Sequence, residues 1–343
     1  MVIQIKGAEK LDDTTIAKEF SVYLEWAQKV CAANSIIIND GITQIENKTH
    51  FCIPSDIGDL YLKKMGNFIN DELKFVLKLM ELRIITLPEL VGYDHDMNIC
   101  LMRDMGGSDL SLIPQLNMET ALDMFVSLSR IQKGSIEFVK TEGVYGFDYR
   151  ISTMLKELKD LPELAYKMLS ETPYSITRDE TEKLKQHTEH VTNVLESVKN
   201  ACIPDTIHHG DLGTYNVRVV DGESIFYDWG CGGVSHPFFD TFRLLYSIKG
   251  KLPTDIPAKE KIIDTYVREW IDYGSYEEVN NIFTAIDGLA GFYMAYVKFI
   301  RARNEHLLYA GKTDEIPAAA GWLNNRYEIS SIYLKRFLEN NFD

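Results

Sequence analysis

Apolar residues recur at three- and four-residue intervals across residues 14–33, with Phe20, Tyr23, Leu24 and Ala27 on one face, which predicts an amphipathic helix. The period then falls to two. Ile42–Ile45, His50–Pro54 and Asp59–Lys64 read as three strands, with turns at Asn47-Lys48 and Ser55–Gly58. A helical period returns over residues 68–82, carried by Ile69, Leu73, Val76, Leu77 and Met80. Leu87–Tyr93 and Asn98–Arg103 supply two further strands. The order is helix, three strands, helix, two strands.

Met105-Gly106-Gly107-Ser108 then breaks regular structure, because paired glycines permit backbone conformations that end strands and helices. Beyond it the pattern is helical over residues 118–133, 148–170, 179–200, 238–248, 258–272, 276–303 and 318–340. Residues 205–237 are the one expected exception. The chain thus reads as an α+β protein with two domains, a strand-bearing one at residues 1–104 and a mainly helical one at residues 105–343. A length of 343 residues exceeds a typical single core.

Composition narrows the class only slightly. The chain is 45% hydrophobic and 25% charged, as in ordinary globular proteins. Its net charge of −15 argues against nucleic acid or an anionic membrane as partner and is compatible with a cationic substrate. The five cysteines, Cys31, Cys52, Cys100, Cys202 and Cys231, form no C-x-x-C pair and are odd in number, which points to neither a disulfide framework nor a zinc site and suits the cytoplasm. The first residues are too short in apolar length for a signal peptide. Ile282–Ile300 is the most apolar stretch, but Asp287 and Lys298 interrupt it, so a core helix explains it better than a membrane span.

The densest chemistry lies in His209-Gly210-Asp211-Leu212-Gly213-Thr214-Tyr215-Asn216 and in Tyr227-Asp228-Trp229-Gly230. Between them, Val217–Val220 and Ser224–Tyr227 read as strands joined by the hairpin dipeptide Asp221-Gly222. A hairpin returns the chain to its origin, so Asp228 is expected beside Asn216 and Asp211. Asn216 and Asp228 then offer an amide and a carboxylate to a cation such as Mg2+, and Asp211 is left to take a hydroxyl proton. The spacing is that of phosphoryl transfer: a loop Asp as base, an Asn five residues later on metal, and the Asp of a D-F-G-like turn bridging metal to phosphates.

The His-Gly-Asp form and the Asp-Trp-Gly turn resemble the aminoglycoside and choline phosphotransferase family. The resemblance implies a two-lobed protein-kinase-like fold, with a small antiparallel-sheet lobe that binds nucleotide and a large helical lobe that binds the acceptor. It implies ATP or GTP as donor, Mg2+, and a small-molecule hydroxyl as acceptor. It also implies a phosphate-binding lysine on the third strand. Lys63 and Lys64 both stand there on opposite faces, and the apolar residues before it favour Lys63. Glu72, nine residues on, is the expected partner, with Asp71 as competitor. The Asp104 carbonyl and Met105 amide are the expected adenine contacts. Residues 45–50 should cover the phosphates but contain no glycine, so Asn47, Lys48 and Thr49 are the candidates there.

On the acceptor side, His209 is expected to shape the loop and His208 to be bland. Asp240 opens a helix and either caps it or bonds back to the loop. Only eleven residues separate Asp228 from Asp240, which leaves little room for a protein-kinase activation loop. Asp287, with Tyr293 and Trp270, is the candidate acceptor site: a buried carboxylate needs a partner, and either a bound ammonium group or an internal arginine or hydroxyl fits. An aminoglycoside or amino sugar is the first acceptor expected, and a choline-like or other metabolic alcohol the second.

Overall fold

The computed structural model describes residues 4–5, 13–45, 50–65, 72–83, 87–143, 146–170, 172–254, 257–309 and 317–339. In chain order the elements are β1 (Gln4–Ile5), α1 (Asp13–Ala33), β2 (Thr43–Ile45), β3 (His50–Ile53), β4 (Leu60–Lys64), α2 (Glu72–Leu82), β5 (Leu90–Asp94), β6 (Ile99–Arg103), β7 (Ser108–Asp109), α3 (Met118–Gly134), α4 (Ile136–Glu142) and β8 (Phe147–Tyr149). There follow α5 (Ile151–Glu157), α6 (Leu161–Leu169), α7 (Arg178–Val198), β9 (Thr206–His208), β10 (Val217–Val220), β11 (Glu223–Phe226), β12 (Gly233–Ser235), α8 (Thr241–Ile248), α9 (Ala258–Arg268), α10 (Tyr276–Asp287), α11 (Ala290–Tyr309) and α12 (Pro317–Leu338).

They form two compact units. The first joins Met1–Leu112 to Asn216–Gly230, and the second joins Ile113–Tyr215 to Cys231–Asp343. The division therefore departs from a single cut at residue 105. The reason is strand pairing: β10 pairs with β7 as well as with β11, which ties the hairpin to the first unit.

In the first unit a sheet of order β1-β2-β3-β4-β6-β5 is antiparallel except for its β1–β2 edge. Helix α1 covers one face. Leu24, Ala27 and Cys31 from the helix bury against Phe51, Ile53, Leu60, Leu62, Ile99 and Leu101 from the strands. Alternation along β4 places Leu60 and Leu62 in this core and turns Tyr61 and Lys63 to the other face. Helix α2 is shorter than the predicted 68–82 within the described residues and buries Leu73, Phe75, Val76 and Leu79.

In the second unit the helices surround a small sheet of order β8-β12-β9. Three expectations need correction. The segment after residue 105 is not all helical outside 205–237, because β7 and β8 lie there. The predicted helix 148–170 is β8 followed by α5 and α6, and Pro162 at the start of α6 stops α5 from running on, since it lacks an N–H. The predicted helix 276–303 breaks at Gly288-Leu289 into α10 and α11. The charged helix α7 starts with a reciprocal cap between Thr177 and Glu180. No helix among the described residues is long and apolar enough to cross a membrane.

Candidate active site

The hairpin forms as predicted. Val217 pairs with Phe226 and Val220 with Glu223, leaving a two-residue turn in which Asp221 and Gly222 both have positive φ (51° and 89°). At its base the Tyr227 amide donates to the Asn216 carbonyl at 3.1 Å, so the chain returns beside Asn216 just before Asp228. Asp228 has φ of 63°, a left-handed conformation that a non-glycine residue adopts only when its surroundings impose it. The surroundings are visible: the indole of Trp229 is buried, donates to the Phe226 carbonyl at 3.0 Å and packs against Phe75 of α2.

Lys63 resolves the choice on β4. Its ammonium lies 2.6 Å from Glu72 Oε1 and 2.7 Å from Asp228 Oδ1. Burial would pull the ammonium pKa down, but Glu72 and Asp228 outweigh it and hold it above the lysine range. Lys64 instead reaches Tyr23 of α1, with Nζ 2.6 Å from the hydroxyl. Strand β4 is interior to its sheet, so Lys63 is no edge-strand surface residue. Glu72 is buried against Gly230, where even a methyl group would come within 3.1 Å of the carboxylate. Asp71, Asn47, Lys48 and Thr49 lie outside the described residues, as does Ile69.

A cavity of about 220 Å3 opens on this face of the first unit, lined by Tyr61, Lys63, Glu72, Asp104, Met105 and Asp228 among others. Five of the expected site residues thus share one cavity. Sequence reasoning missed Arg218, whose Nη1 donates to Asp104 Oδ1 at 3.0 Å and to the Gly106 carbonyl at 3.1 Å, fixing the segment after β6 to the hairpin. His50 also lines it, with burial foremost and then Lys63 pulling its imidazole down to about 4, against the Asp228 carboxylate.

Asn216 and Asp228 are hard oxygen donors, as Mg2+ requires. No group of three or more His, Cys, Asp or Glu side chains able to hold a metal is found among the described residues.

Asp211 belongs to the second unit, on the loop after β9. Gly210 precedes it with φ of 76°, and a Cβ there would meet the Cys231 carbonyl at 2.1 Å. Only glycine lets the loop pass so close to that backbone. His209 is buried, its Nδ1 accepting from the Asp211 amide at 3.4 Å. Asp240 bonds back to the loop and does not cap α8 with its side chain: both its oxygens accept from the His209 amide, at 3.1 and 3.2 Å. His208 is not bland. It joins the Tyr293 hydroxyl (2.6 Å) to Asp240 (2.8 Å), so a buried chain of polar groups runs from α11 to the loop.

The Asp211 carboxylate is crowded by cations that its own sequence segment does not contain. Arg243 Nη2 of α8 lies 2.6 Å from Oδ1 and Lys298 Nζ of α11 lies 3.5 Å away. The Tyr215 hydroxyl lies 3.4 Å from the same oxygen and is also bonded to Arg243. Burial raises the Asp211 carboxyl, but Lys298, Arg243, Arg301 and His209 together outweigh it and hold it below the ordinary carboxylate range. Asp211 is therefore ionised at neutral pH.

Of the three acceptor candidates, Tyr293 lines a small cavity with Gly210, Arg243 and Lys298, and the other two do not. Tyr293 is buried and stacks on Phe239 with centroids 4.2 Å apart. Trp270 is fully buried and packs on Phe238 and Tyr266. Both rings are buried among other aromatic side chains, where a large ring gains most. Asp287 is only half-buried at the last turn of α10, so it lacks the buried carboxylate's need for a partner.

The model of the APH family, described as the phosphotransferase enzyme family, matches residues 46–279. No curated protein matches the sequence. Among solved structures, choline kinase from Cryptosporidium parvum Iowa II is similar with a TM-score of 0.58 at 10% identity, covering 92% of this chain and 94% of that one. Choline kinase LicA from Streptococcus pneumoniae is similar with a TM-score of 0.51 at 14% identity, covering 92% and 99%, and LicA is also known in complex with AMP. A choline/ethanolamine kinase family protein from Mesorhizobium loti gives a TM-score of 0.51 at 14% identity, covering 88% and 92%. At these identities the likeness establishes the fold, which is the two-lobed kinase-like one expected.

Proposed function

The chain belongs to the phosphotransferase enzyme family, and on that premise we propose that it moves the γ-phosphate of ATP or GTP to a hydroxyl of a small molecule. The observation that carries this reading is the Lys63 ammonium held by both Glu72 and Asp228 on the wall of one cavity. That cavity is the nucleotide site, with Lys63 aimed at the phosphates and backbone groups of Asp104 and Met105 at the base. Asn216 and Asp228 would hold Mg2+, which neutralises phosphate charge when bound.

Asp211 is the base. Held ionised, it accepts a hydrogen bond from the acceptor hydroxyl and orients its oxygen. As that oxygen bonds to the γ-phosphorus, the bond to the β–γ bridging oxygen breaks, a nucleoside diphosphate leaves, and the hydroxyl proton passes to the carboxylate. A carboxylate is a weak base near neutrality, so its contribution is mainly positional. The odd number of cysteines and the lack of a C-x-x-C pair fit a reducing, cytoplasmic setting.

An aminoglycoside or amino sugar is the acceptor that the net charge of −15 favours, and a choline-like alcohol is second. The charges beside Asp211 run the other way. A protein acceptor is disfavoured by the eleven residues between Asp228 and Asp240.

The test is acceptor-dependent consumption of ATP and GTP with Mg2+, on the parent and on Asp211→Ala. Turnover that vanishes in the variant supports the reading. Nucleotide binding with no turnover on any hydroxyl compound would leave a nucleotide-binding module, and transfer to proteins alone would make it a protein kinase.

A further inference from the structure

We propose that the acceptor is an anion, a hydroxyl compound bearing a carboxylate or phosphate, held by Arg243, Lys298 and Arg301 beside Asp211. The inference rests on the phosphotransferase reading and sets the local charge beside Asp211 above the net charge of the chain, so it replaces the amine-bearing acceptors with an anionic one.

Two cations of the second unit pair with one carboxylate, and a third stands one helical turn away. Arg243 and Lys298 are mostly buried, their side chains 18% and 13% exposed, and both are within ion-pair distance of Asp211. Arg301, one helical turn beyond Lys298 on α11, is half-buried and is felt electrostatically by Asp211. Among the described residues the Arg301 guanidinium makes no hydrogen bond or ion pair. The acids that could serve it are committed: Glu305 accepts from Arg326 Nε through both oxygens, at 2.9 and 3.0 Å, and Glu157 takes Arg303 at 3.0 Å. Asp211 cannot neutralise all three.

Of the three cations Lys298 alone is pulled down; Asp211 and Tyr215 hold Arg243 above the arginine range, and Arg301 is held above it too. Burial first, with Arg243 and Arg301 adding to it, pulls the Lys298 pKa to about 8 even though Asp211 opposes the shift. Partly buried positive charge in excess is costly unless an anion joins it.

There is room for one. A cavity of about 620 Å3 in the same unit is lined by Tyr215, Arg243, Tyr246, Tyr333, Arg336 and Glu339, among others. Arg243 belongs both to this cavity and to the Asp211 ion pair. Arg243, Arg336 and Glu339 are the charged residues of its wall, with apolar side chains and three tyrosines beside them, and Arg243 also lines, with Lys298, a small cavity next to Gly210 and Leu212. An ammonium-bearing acceptor brought to Asp211 would meet the three cations with like charge, whereas a carboxylate or phosphate would complete them through charge-assisted bonds.

The experiment compares three acceptor sets on the full chain with MgATP. They are hydroxy and sugar acids such as glycerate and gluconate, hydroxylated phosphate esters such as glycerol 3-phosphate and glucose 6-phosphate, and amines such as kanamycin, glucosamine and choline. Turnover is expected in one of the first two sets, which separates carboxylate from phosphate, and not in the third. Arg301→Gln should raise the acceptor KM about ten-fold or more with the ATP KM unchanged, and Arg301→Lys should recover part of it. Preference for the amines would overturn the proposal. So would an Arg301→Gln enzyme whose kcat falls with acceptor KM unchanged, since the cations would then serve the transferring phosphoryl group. If no compound is phosphorylated, the phosphotransferase reading fails separately. Calorimetric titration of the same three sets into parent and Arg301→Gln protein then decides: anion binding weakened in the variant supports the charge preference, and no anion binding ends it.

Discussion

Lys63 and Asp228 stand 165 positions apart in the chain, and their side chains meet at 2.7 Å within one compact unit. The contact exists because β4 turns Lys63 away from the α1-covered core while the hairpin brings Asp228 back in a left-handed conformation. Glu72 completes the triangle at 2.6 Å.

Lys63 and Glu72 are the buried members, with side chains 12% and 6% exposed. Lys63→Met strands the Glu72 carboxylate and is expected to cost about 3 kcal/mol of stability, read by urea unfolding. The double variant Lys63→Met/Glu72→Leu should cost less than the sum of the two single changes, because neither charge is then left unpaired. Strict additivity would show that the pair is not coupled. Both variants should also lose nucleotide affinity, measured by calorimetry with MgATP.

Asp211→Asn keeps the shape of the loop and removes the charge. It should lower kcat by roughly 10²- to 10⁴-fold, the range for a positioned acid–base group, while nucleotide binding stays near that of the parent. A variant with full turnover would assign the proton to another group.

Much of this site was legible because its chemistry is local. Asp211, Asn216 and Asp228 fall within one short stretch of sequence that contains a hairpin with an unambiguous turn dipeptide, while alternation along Leu60–Lys64 puts two lysines on opposite faces and the resemblance favours Lys63. Arg243, Lys298 and Arg301 were not legible. They sit on α8 and α11, and only the packing of those helices around the loop after β9 brings them to Asp211. A lysine inside an apolar run was visible at Lys298, but it was read as an interruption. Tyr293 and Trp270 show the complementary limit: nothing in one sequence separates an aromatic that packs the core from one that lines a cavity, and Tyr293 does both.

The acceptor-binding cations give the reaction a defined pH profile. Lys298, at about 8, carries its charge below that pH and loses it above, so kcat/KM for an anionic acceptor should fall as pH rises through about 8. Asp211 is held below the ordinary carboxylate range, so the acid limb should lie lower than that of a free aspartate. Lys298→Arg should move the alkaline limb up and out of the measured range. An unchanged alkaline limb in that variant would locate it on another group.

Gly210 tests the loop without touching a functional group. With φ of 76° and the Cys231 carbonyl 2.1 Å from where a Cβ would stand, Gly210→Ala must move one backbone or the other. The expected loss is about 2–4 kcal/mol by urea unfolding, together with reduced kcat as Asp211 shifts. Gly222→Ala, in the hairpin turn, is the comparison: φ there is 89° but nothing among the described residues lies within 4 Å of the added carbon, so only the conformational cost of about 1–2 kcal/mol applies. Equal losses at the two sites would remove the close approach as the cause.

Acid stability should be limited in part by His236. Its ring is buried, Nδ1 accepts from the Phe238 amide at 3.3 Å, and burial pulls its pKa to about 3. Above pH 6.5 the ring is neutral in both folded and unfolded chains, so the folded state keeps its full stability. Between about 6.5 and 3 the unfolded chain takes up a proton that the folded protein refuses, so stability falls with pH by up to about 1.4 kcal/mol per unit. His236→Asn retains a side-chain acceptor for the Phe238 amide and does not titrate. Between pH 7 and 5 the parent should lose about 2 kcal/mol more than this variant in urea unfolding. Parallel losses would mean that the proton is taken up elsewhere.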